Sequence, residues 1–537
     1  MIYMVDPKQN RLFDPFQGVI SAAGLKLIAN GWQGVFRHAL LEILPVSNLA
    51  ENFSRTHGTP TKELYSMAGL VFLTDFFGWS VPQSLEAYLF RVDVQYALNL
   101  EPGTEICTRT IERYQKLFRE DELASLVFEG VTQRLVDLLN LDISRQRLDS
   151  THVFSNMALF GRTKLMAAAI KRFLTQVKRH SPDTFKTLPE DFRKRYEASQ
   201  SRLFAGAKDA ETRVRYRQQA AEDLLFVIEH FANDSLHSSR SSYKALVTIF
   251  QQQCEVCGQK VIVKTEVGSD CMQNPSDLDA TYDGHKGPGY QVQIAETCMP
   301  DNEVQLITAM LPQTACEQDS AALVPILDQL ERFQRLPREM TADTAYVGDE
   351  NVESAAIRDV ELIGPVAGRT PVTTPDTLTV DDFALDERTN KVNACPQGHA
   401  PLSSSYDETT ATTRVEMPAV ACASCLFHKS CPIEKTKTGQ YVLEFTDKQR
   451  RLEARRLEEK TNVFKERYRM RSGIESTNSG LKNRLGMDRL RVRGRGSVFR
   501  VIGHKIAGWN VLRAAASDKV RAWVAARMAE SVGFGEI

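Results

Sequence analysis

The sequence predicts an α/β protein, and three observations lead to that fold class. Apolar residues recur every three or four positions through residues 17–140, as they do along helices that bury one face. Runs of β-branched and apolar residues typical of strands follow, beginning with LDISRQRLDSTHVF. Near residue 340 the chain shows the strand–helix–strand pattern of a parallel sheet. We therefore expect a sheet-containing core behind an all-helical N-terminal segment.

The composition is that of a folded protein with several domains. The 537 residues are 42% hydrophobic and 25% charged, which excludes a disordered or fibrous chain and allows roughly two to four domains. The net charge is −1, so any affinity for nucleic acid must come from a local basic surface. Neither a leader sequence nor a membrane span is apparent. We expect a cytoplasmic protein whose ten cysteines are reduced thiols or metal ligands.

Residues 1–140 are predicted to form a helical DNA-binding domain. Breakers such as HGTPT and LEPGTE separate its helices. Residues 80–118 have the pattern of a helix-turn-helix motif, in which residues 110–118 would read the DNA. An ordinary helical bundle explains the same pattern, and the sequence leaves both alternatives open.

The core is predicted to begin with residues 141–366. Its first strand ends near Asp149, and a charged, mostly helical insertion occupies about residues 160–250. The glycine-punctuated stretch LDATYDGHKGPGYQVQIAET reads as a β-hairpin. The stretch LPREMTADTAYVGDENVESAAIRDVELIGPV then reads as a βαβ unit, with Asp343 at the carboxyl end of its first strand. Ligands bind outside the carboxyl ends of strands in open α/β sheets, so Asp343 is a candidate site residue.

Residues 367–435 are predicted to be an insertion, because their composition turns to Thr, Asp and Pro. The insertion contains Cys395, Cys422, Cys425 and Cys431, which include a CxxC pair. Four thiolates at such spacing suit a structural zinc site, but plain thiols explain them nearly as well. Residues 436–515 are predicted to hold a long charged helix, starting near residue 446, and a basic segment, and residues 516–537 a tail.

The basic segment raises a question about Glu475. Residues 465–500 contain eleven Lys and Arg against three acidic residues, a balance of +8, which is typical of a surface that faces phosphates. Its candidate phosphate contacts include Arg484, Arg489, Arg491 and Arg493. A carboxylate there repels the same phosphates. On an ideal helix Tyr468, Arg471, Glu475 and Lys482 share a stripe of roughly 60°.

A metal ion would give Glu475 a function, provided that other carboxylates join it. Asp149 and Asp343 are the candidates, because Mg²⁺ prefers oxygen ligands and a pair of ions catalyses phosphoryl transfer. The alternatives are purely structural: both aspartates could be turn or cap residues, and Glu475 could only pair with Arg471. A Glu475–Arg471 pair would explain the helix but not the two aspartates.

The chain resembles the DDE transposases of bacterial insertion sequences. The spacing of Tyr468, Arg471, Glu475 and Lys482 matches the signature of the group numbered four. The stretches GWQGVFRHALLEILP, DSTHVFSNMALFGRTKL and TADTAYVGDENVE are similar to the branch numbered eleven eighty-two. The resemblance extends over nearly the whole chain.

The resemblance implies a fold, a reaction and partners. The fold would be an RNase H-like catalytic core with an all-helical N-terminal domain, a helical insertion and a cysteine-bearing insertion. Asp149, Asp343 and Glu475 would be catalytic and hold two Mg²⁺ (or Mn²⁺) ions, while Tyr468, Arg471 and Lys482 contact DNA. The enzyme would cleave transposon ends at terminal inverted repeats and join the 3′-hydroxyl to target DNA, as a homodimer. The alternatives are a non-catalytic DNA-binding regulator and a metal-dependent nuclease without strand transfer.

Overall fold

The N-terminal part of the chain consists of helices joined by loops in its described residues. A computed structural model describes residues 1–532 except 9–13, 17, 102, 121–122, 198, 200–203, 208, 369–377 and 387. A π turn and a 3₁₀ turn cover residues 36–43. The helices are α1 (Ala22–Ala29), α2 (Trp32–Val35), α3 (Val46–Ala50), α4 (Leu64–Phe77), α5 (Val81–Phe90), α6 (Val92–Ala97), α7 (Thr108–Glu120) and α8 (Leu123–Leu139).

The helix-turn-helix interpretation is not favoured by the connection between α6 and α7. Residues 98–107 join the two helices, whereas that motif uses a turn of three or four residues. Helix α7 buries Ile111, Tyr114 and Phe118 and packs against α4, α5 and α8. These contacts are those of an ordinary helical bundle.

The first strand of the core is followed by a helical insertion, as predicted. Strand β1 spans Arg145–Val153, so Asp149 lies at its middle rather than near its end. The insertion has an apolar core of its own, centred on α9, α12 and α14. Its elements are α9 (Arg162–His180), α10 (Pro182–Thr187), α11 (Glu190–Glu197), α12 (Ala210–Phe231), α13 (Ser235–Ser238), α14 (Ser241–Gln253), β2 (Cys254–Cys257) and β3 (Lys260–Val263).

The central sheet is mixed, and β1 lies at its centre. Strand β1 pairs with β5 antiparallel and with β7 parallel; β5 pairs with β4 and β6 antiparallel, and β8 lies parallel to β7. Both the predicted hairpin and the predicted βαβ unit are present. The elements are β4 (Thr281–Asp283), β5 (Gly287–Thr297), β6 (Ile307–Thr314), α15 (Leu323–Arg332), β7 (Glu339–Ala342), α16 (Asp349–Ala356) and β8 (Glu361–Ile363).

The cysteine-bearing segment forms a small β-rich unit. Its four-stranded sheet has the order β11-β12-β14-β13, and its apolar core includes Val415, Tyr441 and Phe445. Residues 369–377, at the start of the predicted insertion, lie outside the described part of the chain. The elements are β9 (Ala384–Asp386), β10 (Lys391–Ala394), β11 (Ser403–Asp407), β12 (Thr412–Met417), α17 (Ala419–Ala423), β13 (Glu434–Lys435) and β14 (Tyr441–Thr446).

The C-terminal helices return to the sheet and to the N-terminal helices. The long predicted helix is divided in two, because Thr461 caps a new helix after a break at 459–461. A 3₁₀ turn (Met470–Gly473) and a π turn (Gly480–Arg484) flank α20. The helices are α18 (Asp447–Glu458), α19 (Asn462–Arg469), α20 (Ile474–Ser479), α21 (Arg495–Ala515) and α22 (Asp518–Val532).

Helix α21, near the C-terminus, packs against both the N-terminal helices and the central sheet. It is buried on nearly every side and packs against α4, α8 and β6. Asp75 of α4 accepts hydrogen bonds from Arg500 and His504 of α21 inside this core. None of the described helices is long and apolar enough to cross a bilayer.

Candidate active site

The parallel pairing of β1 and β7 brings two acidic residues together. The last paired residues of the two strands are Leu148 and Ala342, so the next residues along each strand are Asp149 and Asp343. Neighbouring strands lie about 4.8 Å apart. The register therefore places the two aspartates side by side.

Glu475 reaches the same place because α20 is held against β1 and β5. Arg147 of β1 donates to the Met470 carbonyl oxygen and pairs with Glu296 of β5. Thr477 of α20 donates to the other oxygen of Glu296 at 2.6 Å. A Cβ at residue 473 would lie 1.9 Å from the Arg147 guanidinium, so a larger residue than Gly473 would have to displace that side chain.

All three predicted catalytic carboxylates contact one guanidinium. Arg471 Nη2 lies 3.3 Å from Asp149 Oδ2 and 3.6 Å from Asp343 Oδ2, and Nη1 lies 3.4 Å from Glu475 Oε1. Because they share Nη2, the two aspartate oxygens are at most about 7 Å apart, a span that two ions about 4 Å apart bridge. The structure thus brings Asp149, Asp343 and Glu475 together.

The electrostatics of the cluster are unbalanced without further cations. Burial raises the pKa of Asp149, and the positive charge of Arg471 opposes that shift. Burial alone would lower the pKa of Arg471, but the surrounding acidic groups, Asp149 first, raise it. Three carboxylates face one guanidinium, so an excess of negative charge remains for other cations to neutralise.

The donor set suits a divalent metal in its chemistry. Its carboxylate oxygens are the ligands that Mg²⁺ and Mn²⁺ prefer. Among the described residues, however, no group of three or more His, Cys, Asp or Glu side chains is already close enough to hold an ion. At this cluster Arg471 lies between the carboxylates as a stand-in cation, and its Nε is buried without a partner. A metal would take the place of the guanidinium.

Asn478 is a site residue that the sequence reasoning missed. Its Nδ2 donates to Asp149 Oδ2 at 3.1 Å, while the backbone N–H of Ser150 donates to Oδ1 at 2.9 Å. Helical arithmetic places residue 478 only about 20° from residue 471, so the signal was present. An amide carries no charge, and for that reason it did not stand out.

Tyr468 and Lys482, the other members of the predicted stripe, lie at the edge of the cluster. The half-buried ring of Tyr468 stacks on Phe464, with centroids 5.7 Å apart. Lys482 lies within the π turn at Gly480–Arg484, so ideal-helix phases do not fix its direction. Burial lowers the pKa of His152 on β1, and the positive charge of Lys482 contributes to that lowering.

The basic segment continues into a loop that is fixed beside the end of β1. Leu490 N donates to the Phe154 carbonyl oxygen, and Asn156 N donates to that of Val492. The predicted DNA contacts in and before this loop are exposed: Arg484, Arg489, Arg491 and Arg493. No carboxylate of the described residues pairs with any of these four. Arg491 Nη1 does donate to Gln83 Oε1 at 3.0 Å, but that partner is neutral and leaves the charge of Arg491 uncompensated.

The four cysteines of the insertion line one small cavity. Cys395, Cys422, Cys425 and Cys431 surround it together with His399 and His428. Burial raises the pKa of Cys422, and the negative charge of the other three thiolates raises it further. A cation would relieve that repulsion, but the thiols do not close on one point. Zinc therefore stays a prediction.

Residues 394–515 match the family model of the transposase DDE domain. The predicted relationship to the DDE transposases of insertion sequences is thereby confirmed. The matched DDE segment includes Glu475 but neither Asp149 nor Asp343, and it does not test the finer branch. No curated protein and no solved structure matches the chain.

Proposed function

We propose that the protein is a DNA transposase that cuts the ends of its element and joins them to target DNA, with Asp149, Asp343 and Glu475 as the catalytic carboxylates. The observation that carries the proposal is their convergence on Arg471. A non-catalytic DNA-binding regulator has no use for three carboxylates inside a basic surface. The transposase DDE domain supports the same conclusion.

The arrangement of strands supports an RNase H-like core. An antiparallel set, β6-β5-β1, continues into the parallel strands β7 and β8. The first carboxylate lies on the central strand, the second follows the adjacent parallel strand, and the third comes from α20, which packs against the central strand. Insertions between these elements do not disturb the site, because they fold around cores of their own.

In the proposed reaction Asp149, Asp343 and Glu475 would hold two Mg²⁺ or Mn²⁺ ions, which when bound would supply activation of the attacking water or 3′-hydroxyl and neutralisation of charge on the leaving oxygen. The chain contributes position and charge rather than a covalent intermediate. When metal ions occupy the site, Arg471 would leave the carboxylates and pair with a DNA phosphate. Lys482 would bind a second phosphate. Arg484, Arg489, Arg491 and Arg493 bind the backbone on either side of the cut, and a second copy would act on the second end.

The test is cleavage of duplexes that carry the inverted repeats flanking the coding region. Asp149→Asn, Asp343→Asn and Glu475→Gln should each abolish Mg²⁺-dependent cutting and joining while DNA binding persists. Glu466→Gln is the matched control, since Glu466 is an exposed carboxylate on α19 in the same basic segment. Full cutting by any of the three variants would remove that residue from the site. Cutting without joining by the wild type would indicate a nuclease.

A further inference from the structure

Asn478 lies one helical turn beyond Glu475 and contacts Asp149 directly. Its side chain is on the buried face of α20 with Ile474 and Thr477, and only 7% of the residue is exposed. Its Nδ2 donates to Asp149 Oδ2 at 3.1 Å. The contact links the strand that carries the first carboxylate to the helix that carries the third.

Two side chains of different character contact Asp149 Oδ2 among the described residues: Arg471 pairs with it and Asn478 donates to it. The guanidinium of Arg471 is a cation, so it competes with a metal ion for the same oxygen. The amide of Asn478 is neutral, so it can keep its hydrogen bond when a cation arrives. Of the two, only Asn478 can orient Asp149 both before and after metal binding.

The other half of the Asn478 amide is unused. Its Oδ1 is buried and has no hydrogen-bond partner in the described structure. A buried acceptor without a partner destabilises a fold, whereas an apolar side chain of similar size would carry no such cost. An unpaired carbonyl oxygen beside a carboxylate cluster suits a donor that arrives with the ligand, such as metal-bound water.

We infer that Asn478 is a positioning residue of the metal site, which holds Asp149 against α20 through Nδ2 and offers Oδ1 to the incoming hydrated cation. This rests on the proposed function. Partners that orient ligating carboxylates contribute strongly to metal affinity, and their loss weakens binding about 10- to 100-fold. The role is distinct from that of a ligand, since the amide acts through Asp149.

The experiment measures Mn²⁺ affinity by calorimetry on the full chain without DNA. Asn478→Leu removes the amide at similar volume, and Asn478→Ala carries the same test if the leucine variant does not fold. Asn302→Leu is the matched control, because it makes the same substitution at a half-buried amide that hydrogen-bonds to the backbone of Asp142, before the start of β1 and away from the triad.

We expect the Asn478 variants to bind Mn²⁺ at least about tenfold more weakly, whereas the affinity of Asn302→Leu should equal that of the wild type. In cleavage assays the Asn478 variants should need more metal but recover at saturating Mn²⁺. Equal affinities for wild type and both Asn478 variants would overturn the positioning role and leave the proposed function intact. A wild type that binds no Mn²⁺ would overturn both.

Discussion

Arg471 is predicted to hold the three carboxylates together only while no metal is bound. Arg471→Gln removes the positive charge that all three contact. Asp149, 13% exposed, carries most of the effect, since Asp343 and Glu475 are 49% and 64% exposed and well screened. The stability lost when a partly buried charge loses its partner lies between the ~1 kcal/mol of exposed pairs and the 3–5 kcal/mol of buried ones. We expect about 2 kcal/mol, or about 4–8 °C in melting temperature for a domain of 150–250 residues.

The assay is thermal unfolding of the DNA-free protein in EDTA and in saturating Mg²⁺. The deficit of Arg471→Gln should be present in EDTA and should shrink or reverse in Mg²⁺, because the ions then neutralise the carboxylates. Arg467→Gln is the control: Arg467 lies one turn earlier, is similarly buried, and pairs with Glu339 and Glu361 away from the cluster. Its deficit should be the same in both buffers. An Arg471→Gln deficit that is also independent of Mg²⁺ would refute the reasoning.

Three further predictions concern the DNA surface, the cysteines and the buried lysine. Affinity for DNA should fall tenfold or more between about 50 and 200 mM salt, because several unpaired arginines release counterions; a flat titration would contradict this. Purified protein should contain about one zinc per chain, lost in Cys425→Ser, by elemental analysis; zinc-free wild type would retire the site. Burial lowers the pKa of Lys505 to about 8, so the folded state releases this proton first and stability rises with pH above that value. Wild type should therefore gain about 2 kcal/mol over Lys505→Met between about pH 7 and 9.5; equal pH dependence of both proteins would contradict it.

The sequence predicted which helices and strands carry the site residues better than it predicted how those elements pair and where the side chains point. The βαβ unit around Asp343 was predictable because strand and helix periods alternate over a short stretch. Asp149 was expected near a strand end, but the β-branched and apolar residues Thr151 and Val153 extend the strand past it. The pairing of Leu148 with Ala342 sets the two aspartates side by side. Such a pairing between distant strands cannot be read from the periodicity of each strand alone.

The direction of Arg471 and the role of Asn478 were beyond the sequence pattern. Arg471 was assigned to DNA because basic segments usually face phosphates, yet in the protein alone the nearest anions are the carboxylates. The long predicted helix breaks at Thr461, whose hydroxyl caps a new helix. A charged helix with no apolar face has little to resist such a break.

Iron-directed cleavage of the polypeptide tests the shared metal site most directly. Fe²⁺ bound in place of Mg²⁺ reduces added hydrogen peroxide to hydroxide and a hydroxyl radical, itself becoming Fe³⁺, and the radical cuts the backbone nearby. We expect three sets of fragments from one preparation, ending near Asp149, Asp343 and Glu475, all suppressed by excess Mg²⁺ and absent from Asp149→Asn. Cuts near only one of the three positions, or cuts that Asp149→Asn leaves unchanged, would contradict the shared metal site.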